Sequence, residues 1–181
     1  MKVLDVGCGP GIYVKALQEA GIDAEGVDID PASPCTKIDI FSDHFRSKYW
    51  GQFDVALCLE VAEHIPERLA GKLVECLVNV APTVVFSAAI PGQGGHGHIN
   101  LQPKQYWIDK FGELNYVVDS DATNDLLKFM ASGYHMGWFL QNAVVFKQYG
   151  ATCYERIIEE ETPQAIRLAE YFLKAQNLTK T

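Results

Sequence analysis

Residues 3–11 read VLDVGCGPG, and this stretch decides the architecture. An apolar, strand-forming run stops abruptly in alternating glycines, as a buried strand does when it feeds a tight turn. Glycine has no Cβ, so it accepts positive φ and lets a ligand approach the backbone, while the helix that follows offers unpaired N–H groups. The spacing is G-x-G-x-G. A dinucleotide fingerprint needs G-x-G-x-x-G, and Ile12 stands where its third glycine belongs. Asp5 is out of character for a buried strand unless something donates to it.

Working outward, strands are expected at 1–6, 24–29, 37–40, 53–59 and 83–89, with helices at 13–20 and 70–80. Strand, helix, strand at this rhythm implies parallel pairing through right-handed crossovers. Ligands of such sheets sit beyond the carboxyl ends of the strands, near the switch in strand order. The second half is less regular. Residues 92–100 (GQGGHGHIN) form a loop rich in glycine and histidine, helices are expected at 102–111 and 124–131, and strands at 115–118 and 138–147. Thr162 and Pro163 open a terminal helix that runs to about 176. The whole reads as a single domain over 1–181: a cofactor half at 1–91, acceptor-side loop and helices at 92–138, and the last strand and terminal helix at 139–181.

The residues after the strands are the unusual ones. Asp28 follows Gly11 by 17 positions, and a carboxylate there can accept both hydrogen bonds of a ribose diol. Asp30 is the fallback. Asp39, at the next strand end, is a candidate for the adenine amino group or, equally, a helix cap. A glycine turn with acids at successive strand ends outlines a nucleoside pocket without phosphate recognition, which suits S-adenosylmethionine better than NAD or ATP. Residues 3–11, 26–30 (GVDID) and 54–66 (DVALCLEVAEHIP) resemble the successive motifs of class I S-adenosylmethionine-dependent methyltransferases. The resemblance implies a Rossmann-like α/β fold with a mostly parallel seven-stranded sheet, an antiparallel last strand and helices on both faces. It further implies that Asp5, Gly7, Gly9 and Gly11 line the methionine and ribose portion, Asp28 the ribose hydroxyls and Asp39 the adenine edge. Members of the family usually carry a helix before the first strand. Here Met1 begins the strand, so a more open pocket, or a cover from another segment, a partner subunit or a second copy, is expected.

Glu60, Glu63 and His64 follow the fourth strand. On a helical turn these positions share a face, and two crowded carboxylates need a proton, a base or a cation between them. His96 and His98 leave the fifth strand nearby. Two carboxylates and two imidazoles suit Mg²⁺, Mn²⁺, Fe²⁺ or Zn²⁺. Similar E-x-x-E-H segments occur in quinone-precursor O-methyltransferases and in small-RNA 3′-terminal 2′-O-methyltransferases. In the latter a further histidine completes a metal site, which here matches Glu60, Glu63, His64 and His98. Two readings stay open: a metal at these four residues, or His64 or His98 as general base beside Glu63, with Glu60 touching the cofactor.

Composition narrows the partners. The 181 residues are 48% hydrophobic and 21% charged, with a net charge of −8, a balance that disfavours long nucleic-acid tracts. A small hydroxylated methyl acceptor fits better, with a nucleic-acid end, a sugar or a noncatalytic cofactor-binding subunit as alternatives. No run of residues is apolar enough for a membrane span. Five scattered cysteines, never in a C-x-x-C pair, suggest a reducing, cytoplasmic setting.

Overall fold

The computed structural model describes residues 1–31, 34–133 and 141–150. Among them β1 (Lys2–Val6), β2 (Asp23–Asp28), β3 (Thr36–Lys37), β4 (Val55–Leu59), β5 (Thr83–Ser87), β6 (Tyr116–Val118) and β7 (Val144–Gln148) form one sheet. Their order is β3-β2-β1-β4-β5-β7-β6. All neighbouring pairs from β3 to β5 are parallel, and β7 runs antiparallel to both β5 and β6. This is the expected Rossmann-like α/β architecture, with order reversing between β1 and β4.

The central strands β1, β4 and β5 are largely apolar and buried because both faces are covered. Val3, Val55, Leu57, Val85 and Val145 pack under α1 (Ile12–Glu19) and α5 (Ser120–Gly133), which contribute Leu17 and Leu126. The alternate residues, Leu4, Ala56, Cys58, Val84 and Phe86 among them, face α2 (Asp43–Tyr49), α3 (Ala70–Val80) and α4 (Lys104–Gly112). There Phe86 meets the Trp107 and Phe111 rings at centroid distances of 5.2 and 5.4 Å. The period of two along each strand thus sorts side chains into two cores.

Several boundaries differ from expectation for local reasons. The third strand keeps only two residues, because after one more bond, from Ile38 N to the Asp28 carbonyl, Asp39 accepts from Phe41 N and turns the chain. Helix α2 was not expected. It is seven residues long and buries only Phe45 and Tyr49, yet Ser42 caps it by accepting from Phe45 N at 3.1 Å. Helix α5 starts four residues earlier than read, since Asp119 Oδ1 accepts from Ala122 N. The last strand starts at Val144 instead of 138, because Gln141 and Asn142 are helical. Residues 138–140, Cys153 and the terminal helix expected at 163–176 lie outside the described residues.

Candidate active site

Beyond the carboxyl ends of β1 to β4 opens a cleft of about 510 Å³, lined by Gly7, Asp28, Asp39, Glu60, Val61 and His64 among others. It sits at the reversal of strand order, where open α/β sheets bind ligands. The glycine turn is fastened by its backbone: Gly7 N and Cys8 N both donate to the Val27 carbonyl, at 2.8 and 3.1 Å. Gly7 has a φ of 80°, and a Cβ there would stand 2.5 Å from Val61 Cγ2. Only glycine fits between the turn and the segment after β4.

Asp28 ties the cleft together. Its Oδ2 accepts from Gly9 N and its Oδ1 from Asp30 N, both at 2.9 Å. The carboxylate is thereby aimed and rigid, and each oxygen keeps acceptor capacity for a diol. Asp39 also lines the cleft, and its Oδ1 accepts from Phe41 N in the turn ahead of α2, whose cap is Ser42. Asp30 is exposed, bonded to Lys37 Nζ at 3.1 Å, and not part of the cleft wall.

Of the glycine-turn residues, Gly7 lines the cleft, Gly9 is half-buried with open space where a Cβ would stand, and Asp5 is buried. Asp5 is 2% exposed and its Oδ2 has no donor. Burial, with the Asp28 charge adding to it, pushes its carboxyl up to about 7.

The second cluster forms where the loop after β5 folds back on the segment after β4. Ile99 N and Asn100 N donate to the Glu63 carbonyl at 2.9 and 3.0 Å. This clamp carries His98 onto Glu63, with Nε2 3.9 Å from Oε1. The His64 and His98 rings meet edge to face, centroids 5.1 Å apart, and His64 Nδ1 lies 3.1 Å from the Gly97 carbonyl. If Nδ1 carries the proton, as that carbonyl favours, His64 Nε2 is free to accept. One ligand atom each from Glu63, His64 and His98 lies within 4.8 Å of the others. His96 is exposed and outside this group, so of the two loop histidines the fold selects His98.

Glu63 is fully buried, and neither carboxylate oxygen has a hydrogen-bond partner. Burial, reinforced by the neighbouring Glu60 charge and only partly offset by nearby backbone N–H groups, pushes it up to about 7. A buried carboxylate with unanswered oxygens, faced by two imidazoles, has the donor set of a divalent-cation site; Glu63, His64 and His98 fit one, and Glu60 lies outside that group. The same set without a cation is a proton-accepting site. Glu60 lines the cleft, its Oε2 is held by Gln93 Nε2 at 3.0 Å, and Gln93 is in turn held by Asn142. Neither residue stands out in the sequence, because their pairing spans 49 positions.

Residues 1–78 match the family model described as "Methyltransferase domain". Those residues, fewer than half of the 181, tie the N-terminal part of the chain to methyltransferases. The ubiquinone biosynthesis O-methyltransferase of Pseudomonas aeruginosa strain UCBPP-PA14 is 31% identical over 144 residues, covering 71% of this chain and 58% of the relative. The chain thus spans a little over half the length of that relative. Among solved structures, an S-adenosylmethionine-dependent methyltransferase from Archaeoglobus fulgidus superposes with a TM-score of 0.57 at 15% identity, covering 81% of this chain and 86% of that one. The small RNA methyltransferase HEN1 gives 0.56 at 20% identity over 90% of this chain and 24% of that one. At these identities the methyltransferase structures share the fold.

Proposed function

We propose that this methyltransferase domain, spanning 1–181, transfers the methyl group of S-adenosylmethionine to a hydroxyl oxygen of a small molecule. One observation carries the reading: His64 lines the nucleoside-shaped cleft and also belongs to the Glu63–His98 cluster, so acceptor activation and cofactor binding share a wall. Asp28 grips the ribose, Asp39 faces the adenine edge, and the glycine turn offers bare backbone to the remainder. Glu60 and Val61 border the reacting end. The acceptor oxygen approaches from the His64 side, its bond to carbon forming as the carbon–sulfur bond breaks. The hydroxyl proton passes to His64 Nε2 or to the Glu63–His98 pair. Holding the partners in line can supply about 7–11 kcal/mol of barrier lowering.

Glu63, His64 and His98, with Glu60 beside them, would hold Mg²⁺, Mn²⁺, Fe²⁺ or Zn²⁺. Bound there, the cation supplies Lewis-acid polarisation of the acceptor hydroxyl. The negative surface supports a small acceptor over a nucleic-acid tract. No helix among the described residues is long and apolar enough to cross a membrane, and Cys8, Cys35, Cys58 and Cys76 are free thiols, which supports a reducing, cytoplasmic setting.

A tritiated-methyl transfer screen across phenolic metabolites, sugars and RNA ends tests the reading. Label is expected in the phenolic pool, and chelation with EDTA is expected to lower the rate at least tenfold, the order of loss that a missing acceptor-activating group produces. Full turnover in protein shown free of metal by elemental analysis would leave the histidines as the base. Label in RNA ends alone would overturn the small-molecule assignment.

A further inference from the structure

The Glu60 carboxylate is held by a chain of side-chain amides that approaches from the acceptor half of the site. Gln93 Nε2 donates to Glu60 Oε2 at 3.0 Å, and Gln93 Oε1 accepts from Asn142 Nδ2 at 2.8 Å. The head of the chain fixes its direction. An ionised carboxylate only accepts, so Gln93 must turn its amide N–H inward, its oxygen then accepts, and Asn142 must donate. Two acceptors are left over. Among the described residues Glu60 Oε1 and Asn142 Oδ1 are buried without a hydrogen-bond partner, and Asn142 is only 3% exposed. An unanswered buried acceptor is costly, and a ligand bringing a donor would recover that cost.

The placement agrees. Asn142 lies two residues before Val144, which pairs with Phe86 near the end of β5, and Gln93 lies in the loop that leaves β5. Asp28 and Asp39 stand on the opposite side of the strand-order reversal, after β2 and β3. Glu60 is the meeting point. Its φ of 56° is unusual for a glutamate, and its N–H is pinned to the carbonyl and hydroxyl of Ser87 at 3.0 and 3.2 Å. A backbone held in a left-handed conformation by a strand neighbour aims its side chain deliberately.

We propose that Gln93 is a positioning residue of the methyl-transfer site. Anchored by Asn142, it fixes the Glu60 carboxylate, which lines the cleft, beside the Glu63–His64–His98 cluster, so that Glu60 is aimed to accept from a hydroxyl or amino donor on the methyl acceptor. The inference rests on the proposed O-methyl transfer and adds to it the residues that read the acceptor. The chain meets the acceptor equally before and during transfer, so its loss raises KM for the acceptor more than it lowers kcat.

The test uses catechol, a small aromatic with one donor beside the oxygen to be methylated. Tritiated-methyl transfer is measured in the full chain and in Gln93→Met, Gln93→Glu and Asn142→Ala, alongside calorimetry with S-adenosylhomocysteine and thermal melting. In Gln93→Met and Asn142→Ala the KM for catechol is expected to rise about tenfold, with kcat and cofactor affinity within about threefold of wild type. Gln93→Glu sets an acceptor against an acceptor and is expected to raise KM further at the same side-chain shape. Combining Gln93→Met with Asn142→Ala adds little to the worse single change, since both act through one chain. A loop clamp without a positioning role would instead lower melting temperature, cofactor affinity and kcat together, and that result overturns the inference. Wild-type KM in Gln93→Met overturns it while leaving the proposed function intact. A wild-type chain that binds S-adenosylhomocysteine but transfers no methyl to catechol overturns the acceptor class and this inference with it.

Discussion

Asp28→Ala is expected to weaken S-adenosylhomocysteine binding by about a hundredfold or more. The carboxylate would make two charge-assisted hydrogen bonds to the ribose, each worth about 1.5–3 kcal/mol, and tenfold in affinity corresponds to about 1.4 kcal/mol. It also holds the glycine turn through Gly9 N and the end of β2 through Asp30 N, so its removal loosens the wall it belongs to. Asp28→Asn keeps one acceptor oxygen and is expected to fall between, about tenfold weaker. Calorimetry on both variants, with thermal melts to confirm folding, checks the ordering. Binding by Asp28→Ala within threefold of wild type contradicts the ribose assignment.

Asp5→Asn is expected to stabilise the chain, and only at neutral to alkaline pH. The native carboxyl keeps its proton until about 7, held up by burial and by the Asp28 charge, whereas in the unfolded chain it loses it near 3.8. Between those values the native state binds the extra proton, so stability falls as pH rises through the window and stays low above it. A difference of that size corresponds to about 4 kcal/mol, taken as an upper bound. Urea unfolding at pH 8 is therefore expected to show a large gain for Asp5→Asn, and at pH 4 almost none. Equal gains at both pH values would contradict the buried, proton-holding state of Asp5.

These two residues mark what the sequence displays and what it conceals. The glycine turn, the acid after β2 and the E-x-x-E-H segment are legible because each is a local departure from composition: glycines where a strand should continue, carboxylates at buried strand ends. Helix α3 is legible to the residue, since Ala70–Val80 carries an uninterrupted apolar period. What stayed hidden depends on contacts across the chain. Asp5 is visibly odd in sequence, but only the packed structure shows it buried with no donor to Oδ2 among the described residues. His96 and His98 are indistinguishable in a glycine-rich loop until the Ile99 and Asn100 amides clamp one of them onto Glu63. Helix α2 has two buried side chains on seven residues, too few for a periodic signal, and its Ser42 cap was the available clue. Gln93 and Asn142 are ordinary amides whose meaning comes from what they face.

The account stands on the adenosyl group occupying the cleft at the strand-order reversal. Crystals grown with S-adenosylhomocysteine measure this directly. The prediction is density for the nucleoside between Gly7 and Ile38, both ribose hydroxyls on the Asp28 carboxylate and the sulfur toward Glu60 and His64. Density for the ligand elsewhere, or a cleft closed by the chain's own side chains in protein saturated with the ligand, would contradict it.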